Sequence, residues 1–150
     1  MMSVRIAIQE RDFDIGKEIE NLSASSTIGA IATFTGLVRP DDGLTALILE
    51  HYPKMTEREI ARIVGDAQAR WSLLGVTIIH RIGRLIPGER IVLIAVAASH
   101  RSAAFEACEF LMDYLKTKAP FWKQEERGGV LHWVEAKLSD DEAARRWREK

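Results

Sequence analysis

Basic residues stand at both ends of one amphipathic segment of this chain, and their types suit the handling of anions. His100 and Arg101 follow an unbroken apolar run, Ile91 to Ala98, that reads as a buried strand. A strand-to-helix junction at that point turns free backbone N–H groups and the positive end of the helix dipole outward, which suits a phosphate or a carboxylate. A cation at the first helical position is disfavoured unless an anion sits beside it, so Arg101 adds weight to an anion site. At the far end stand Lys116, Lys118 and Lys123. A lysine in a last helical turn complements the dipole in any protein, and spacing does not separate Lys116 from Lys118. Lys123 follows Phe121 and Trp122, an order that brings an ammonium against apolar walls. If Lys116 and Lys123 approached to about 6 Å, their repulsion at an effective dielectric of about 20 would be about 3 kcal/mol, or about two pKa units. A lysine lowered that far from about 10.4 is a usable acid or base. Arg39 is a further cation, followed by Pro-Asp-Asp-Gly; a lone loop arginine is ordinarily a solvated charge.

The elements that must carry these groups follow from periodicity. Ala104, Cys108, Leu111 and Leu115 recur at i, i+4, i+7 and i+11 and form the core stripe of the central helix. Glu106, Glu109, Asp113 and Lys116 form its polar face, and Pro120 ends it, because the residue before a proline disfavours the helical region. Upstream, Val4 to Gln9 alternates as a strand, and Asp14 caps a helix carrying Ile15, Ile19 and Leu22. Strands are expected over Ile28 to Thr35 and Leu44 to His51, separated by a turn-rich loop from Gly36 to Gly43. Thr56-Glu57-Arg58-Glu59 reads as a capping box, stapled by Met55 and Ile60, for a helix that buries Ile60, Ile63, Val64, Ala67 and Trp71. Val76 to Ile82 and Arg90 to Ala98 form an antiparallel pair joined through Pro87-Gly88. Glu125 to Gly129 reads as a flexible loop and Val130 to Lys137 as a last strand. Ser139-Asp140-Asp141-Glu142 then opens a C-terminal helix with Trp147. Antiparallel strands between amphipathic helices make an α+β protein, read as one domain over 1–150.

Bulk properties narrow the function. A net charge of −1 over 150 residues argues against a general nucleic-acid binder. There is no basic, apolar leader and no run of the roughly 20 apolar residues a membrane span needs, so the chain reads as soluble and cytoplasmic. One cysteine excludes an internal disulfide and a cysteine-based zinc site. Cys108 lies on the core stripe, so any sulfur chemistry would have to import its sulfur. No phosphate-binding glycine loop, nucleophile elbow or zinc-protease motif is present.

F-T-G-L-V-R (34–39), L-E-H-Y-P-K-M-T (49–56), I-H-R-I-G (79–83), P-G-E (87–89), S-H-R-S-A-A-F-E-A (99–107), M-D-Y-L-K-T-K-A-P-F-W-K (112–123) and W-V-E-A (133–136) span nearly the whole chain. Together they resemble the large, catalytic subunit of molybdopterin synthase, the MoaE family. The resemblance implies an α/β-hammerhead-type fold with an additional antiparallel sheet, and a homodimer of large subunits. Each would bind a small ubiquitin-like subunit (MoaD-type) to give a heterotetramer. The small subunit's C-terminal Gly-Gly thiocarboxylate would enter the pocket and pass two sulfurs in succession to cyclic pyranopterin monophosphate, giving the dithiolene of molybdopterin. No cofactor or metal is implied, since molybdenum joins the product later.

By the same resemblance, Lys116 is the acid/base nearest the thiocarboxylate, in preference to Lys118, and Lys123 positions the pterin and assists proton transfer. Arg39, His100 and Arg101 hold the phosphate, with Arg101 supplied across the dimer, while Leu37, Val38, Gln124 and Glu125 line the site. One departure stands out: the residue between Gly36 and Val38 is often basic in the family and is Leu37 here. The short loop from Pro40 to Gly43 lies beside it. The competing reading is a non-catalytic module of the same fold that binds a phosphorylated ligand or another protein.

Overall fold

The computed structural model of the chain describes residues 2–134 and 138–148, the side chains of 138–140 excepted. Its strands form two four-stranded sheets. In the first, β1 (Ser3–Gln9), β4 (Leu73–Arg81), β6 (Arg90–Ala98) and β2 (Ala30–Leu37) lie in that order. The second runs β5 (Gly83–Leu85), β3 (Leu44–His51), β7 (Phe121–Arg127), β8 (Val130–Trp133) and is antiparallel throughout. The α+β class read from the sequence holds, with one addition: β1 pairs parallel to β4.

The apolar run of β6 needs cover on both faces, and it receives it. On one face lie α2 (Met55–Arg70) and α3 (Arg101–Lys118), through Ile60, Ile63, Val64, Ala104, Cys108, Leu111 and Leu115. On the other, α1 (Ile15–Leu22) buries Leu22 against Ala95 and Ala97, while Phe13 packs on Ile79 and Leu93. Asp14 caps α1 as read, accepting the Lys17 N–H at 3.1 Å. The last helix, α4 (Leu138–Arg145), leads into a 3-10 turn whose Trp147 is buried against Trp71 and Phe110 and donates its indole N–H to Asp113. No helix among the described residues is long and apolar enough to cross a membrane.

Four local expectations change. Helix α2 starts at Met55 with Lys54 as its cap residue, so Thr56 is not the cap; its hydroxyl donates to the Tyr52 carbonyl from inside the first turn. Glu57, not Glu59, reaches back, accepting the Lys54 N–H at 2.8 Å. Residues 125–127, read as flexible loop, are strand, because β7 pairs with β3 on one side and β8 on the other. The β4–β6 connection is not a plain turn: β5 leaves it to join the second sheet. The last strand is described only as Val130–Trp133, and its reading over 135–137 lies outside the described residues, as do the Ser139 and Asp140 side chains of the C-terminal capping box.

Candidate active site

Strand β7 is the platform. Lys123 lies opposite Leu49 of β3, and Glu125 opposite Leu47. Side chains alternate along a strand, so Phe121, Lys123 and Glu125 share one face, with His51, Leu49 and Leu47 beside them. Leu47 and Leu49 are buried against Val38 and Leu85. That contact brings Val38, just past the end of β2, to the face of the second sheet that carries Lys123. Gln124 faces the other side of the sheet, opposite Trp133.

The end of β2 is shaped by a bulge between Gly36 and Leu37. A bulge shifts the alternation by one residue and re-aims the side chains beyond it. Leu37 becomes exposed and Val38 buried, and Val38 is fixed by its N–H to the Glu89 carbonyl and its carbonyl to the Gly88 N–H, each at 2.9 Å. Arg127 holds the next turn, donating to the carbonyls of Asp41 and Asp42 at 2.7 and 2.6 Å. Arg39 stands 3.4 Å from Asp41, with both side chains well exposed, a pair that water screens and an incoming anion can displace. Glu125 is already committed to Arg127.

Helix α3 delivers the remaining candidates to two different places. It runs back along β6, with the Cys108 thiol set against the Ile94 carbonyl, so its C-terminal end returns towards Arg90 and Leu37. Lys116 is exposed in its last turn. The chain then turns at Ala119, and Thr56 fastens it through the Pro120 carbonyl before β7 begins. Lys118 lies on a different side of the helix: its charge bears on Glu59 of α2. It also lines a cavity of about 500 Å³ with Arg62, Arg70 and Tyr114, which contains none of the candidate residues.

His100 and Arg101 sit at the opposite end of α3. Fifteen residues separate Arg101 from Lys116, a rise of about 22 Å. His100 is the cap residue, extended at φ −133° and ψ 151°, without a side-chain cap hydrogen bond, and the first turn carries no acidic residue. Among the described residues, this helix end therefore offers unspent N–H donors beside an exposed guanidinium. His100 and Arg101 thus stand at one end of α3 and Lys116 at the other, and one chain does not bring these together.

Sequence reasoning passed over the support behind Lys123. The Phe121 ring stacks on His80 of β4 with centroids 3.8 Å apart and planes 17° from parallel. Burial is the main cause that pushes the His80 pKa down to about 4; the Arg81 carbonyl it bonds opposes this, and the nearby charges of His51 and Lys123 add to it. The signal was present as a single histidine interrupting an apolar strand. The one cysteine is inert, as read: burial, with Glu109 nearby, pushes the Cys108 thiol up to about 11. No cluster of three or more metal-ligating side chains occurs among the described residues.

The profile of the MoaE protein family matches residues 8–118. The chain belongs to the MoaE family. A curated relative from Mesorhizobium japonicum, named molybdopterin synthase catalytic subunit, is 51% identical over 99% of this chain and 96% of its own length. A solved structure described as molybdopterin cofactor biosynthesis protein E from Burkholderia multivorans superposes with a TM-score of 0.85 at 46% identity, covering 97% of each chain. The fold also recurs, with a TM-score of 0.75 and 19% identity over 89% of this chain and 91% of the other, in a complex of subunits 1 and 2 of molybdopterin-converting factor from Helicobacter pylori. The MoaE family resemblance read in the sequence motifs thus stands.

Proposed function

We propose that this chain is the catalytic subunit of a molybdopterin synthase, moving two sulfurs from the thiocarboxylated C-terminus of a small ubiquitin-like subunit to cyclic pyranopterin monophosphate. MoaE family membership over most of the chain carries the reading. Both reactants are anionic, and a near-neutral chain that gathers exposed cations at two places suits them. Lys116 acts as the acid/base at the thiocarboxylate. Lys123, set against Phe121 and Leu49, orients the pterin and assists proton transfer. Arg39, His100 and Arg101 bind the phosphate, Leu37 and Val38 wall the pocket, and Glu125 borders it, while Gln124 lies on the opposite face of β7. Cys108 cannot serve as the sulfur carrier, which fits a donor on another polypeptide.

The gap of about 22 Å along α3 supports a site completed by a second copy, whose His100 and Arg101 face the first copy's lysines. A docking surface for the small subunit is supported by the outer face of the second sheet. There Trp122, Leu131 and Trp133 are exposed, and Tyr52 meets Trp122 at 4.0 Å between centroids. The test is to mix the protein with a thiocarboxylated small subunit and cyclic pyranopterin monophosphate and to assay molybdopterin. Lys116→Ala and Lys123→Ala should each lower turnover by about 10²-fold or more with the fold intact by circular dichroism. Unchanged rates in both variants would defeat the assignment; substrate binding by the wild type with no molybdopterin formed would favour the non-catalytic module.

A further inference from the structure

We propose that His80 is a positioning residue for Lys123, acting through its ring stack with Phe121 to fix the strand that carries Lys123 against the body that carries Lys116. The inference rests on the reading of the two lysines given above. The lysines belong to different parts of the molecule. Lys116 rides on α3, which packs on the first sheet, whereas Lys123 rides on β7 of the second. Besides the short link through Ala119 and Pro120, the His80–Phe121 stack crosses that seam, joining β4 to β7.

Each partner in the stack is well held. The His80 Nδ1 lies 2.8 Å from the Arg81 carbonyl, so the neutral ring donates there and its plane is set. Arg81 is itself anchored by its guanidinium to the carbonyls of Glu10 and Arg90. Phe121 lies opposite His51, whose ring is 6.5 Å away, and two residues before Lys123 on the same face of β7. A displacement of Phe121 is therefore passed along one strand pleat to Lys123.

A leucine would fill the space at position 80 at lower desolvation cost than an imidazole. What histidine supplies is a flat ring whose orientation is locked by a hydrogen bond. It must also be uncharged, since an imidazolium here would face both His51 and the Lys123 ammonium.

The test compares His80→Phe, His80→Leu and His80→Ala in the molybdopterin assay, with Phe121→Leu as the reciprocal variant and thermal melts to verify folding. A misplacement near 1 Å costs about 10²-fold in turnover, so Leu and Ala should lower kcat towards that extent while KM for the small subunit stays unchanged. His80→Phe, which keeps a flat ring, should recover most of the loss. A second readout needs no turnover: trace acetylation with acetic anhydride, read by mass spectrometry, should show an altered Lys123 rate in His80→Leu and Phe121→Leu against Lys17 as reference. If the wild type makes no molybdopterin, the functional reading falls and the acetylation rates still decide this proposal. Unaltered Lys123 reactivity in both His80→Leu and Phe121→Leu would overturn it, as would unaltered kcat in both His80→Leu and His80→Ala, a loss confined to KM, or no recovery in His80→Phe.

Discussion

At the scale of single residues, burial decides what each titratable group can do. Cys108 and His80 both carry side chains of reactive type, and each is silenced by desolvation, the thiol upward to about 11 and the imidazole downward to about 4. For His80 this has a consequence for stability. The unfolded imidazole binds a proton near pH 6.5 and the native one only near 4, so between those values the unfolded state holds more protons. Stability therefore rises with pH through that window and is lost on acidification. The cost reaches on the order of 3 kcal/mol once the pH is below both values, taken from the two and a half units between them. Urea unfolding at a series of pH values should show wild-type stability falling between pH 6.5 and 4. His80→Phe should remove most of that slope; an equally steep slope in the variant would place its origin elsewhere.

At the scale of elements, the sequence was most legible where one face of a segment is apolar and the other is not. The stripe through Ala104, Cys108, Leu111 and Leu115 is buried as read, and Leu44–His51 is a strand to the residue. Strand β7 was hidden because, after Phe121 and Trp122, its residues Lys123 to Arg127 are polar on both faces; its pairing is set by β3 and β8, a tertiary cause that no local pattern records. The start of α2 was misplaced for a different reason. Thr56 and Glu59 have the right spacing for a cap, but Lys54 takes a left-handed backbone, φ 69° and ψ −45°, with the Met55 N–H bonded to the Pro53 carbonyl. The helix thus begins one residue before Thr56, through a tight γ-type turn that side chains rarely tolerate. Lys54→Gly relieves that strain, and after the greater entropy loss of glycine on folding it should still stabilise the chain by on the order of 1 kcal/mol. A thermal melt of the variant should show a raised midpoint; a lowered one would mean that the lysine side chain contributes more than its backbone costs.

At the scale of the whole molecule, the candidate site is legible in the sequence as residues but not as a place. His100, Arg101, Lys116 and Lys123 come close together along the chain, yet a helix of 18 residues holds the first two about 22 Å from the third. The proposed symmetric dimer would resolve this, because a two-fold axis would make two equivalent sites, each with lysines from one copy and His100 and Arg101 from the other. The arrangement can be tested by complementation. Arg101→Ala and Lys116→Ala should each be nearly inactive alone. When the two are unfolded together and refolded as a mixture, half of the dimers are mixed, and in each of those one site carries both defects while the other carries none. Activity should then return to about a quarter of the wild-type value, the fraction of intact sites expected from random pairing. If all the groups acted within one chain, every site would keep one defect and the mixture would stay as inactive as its parts.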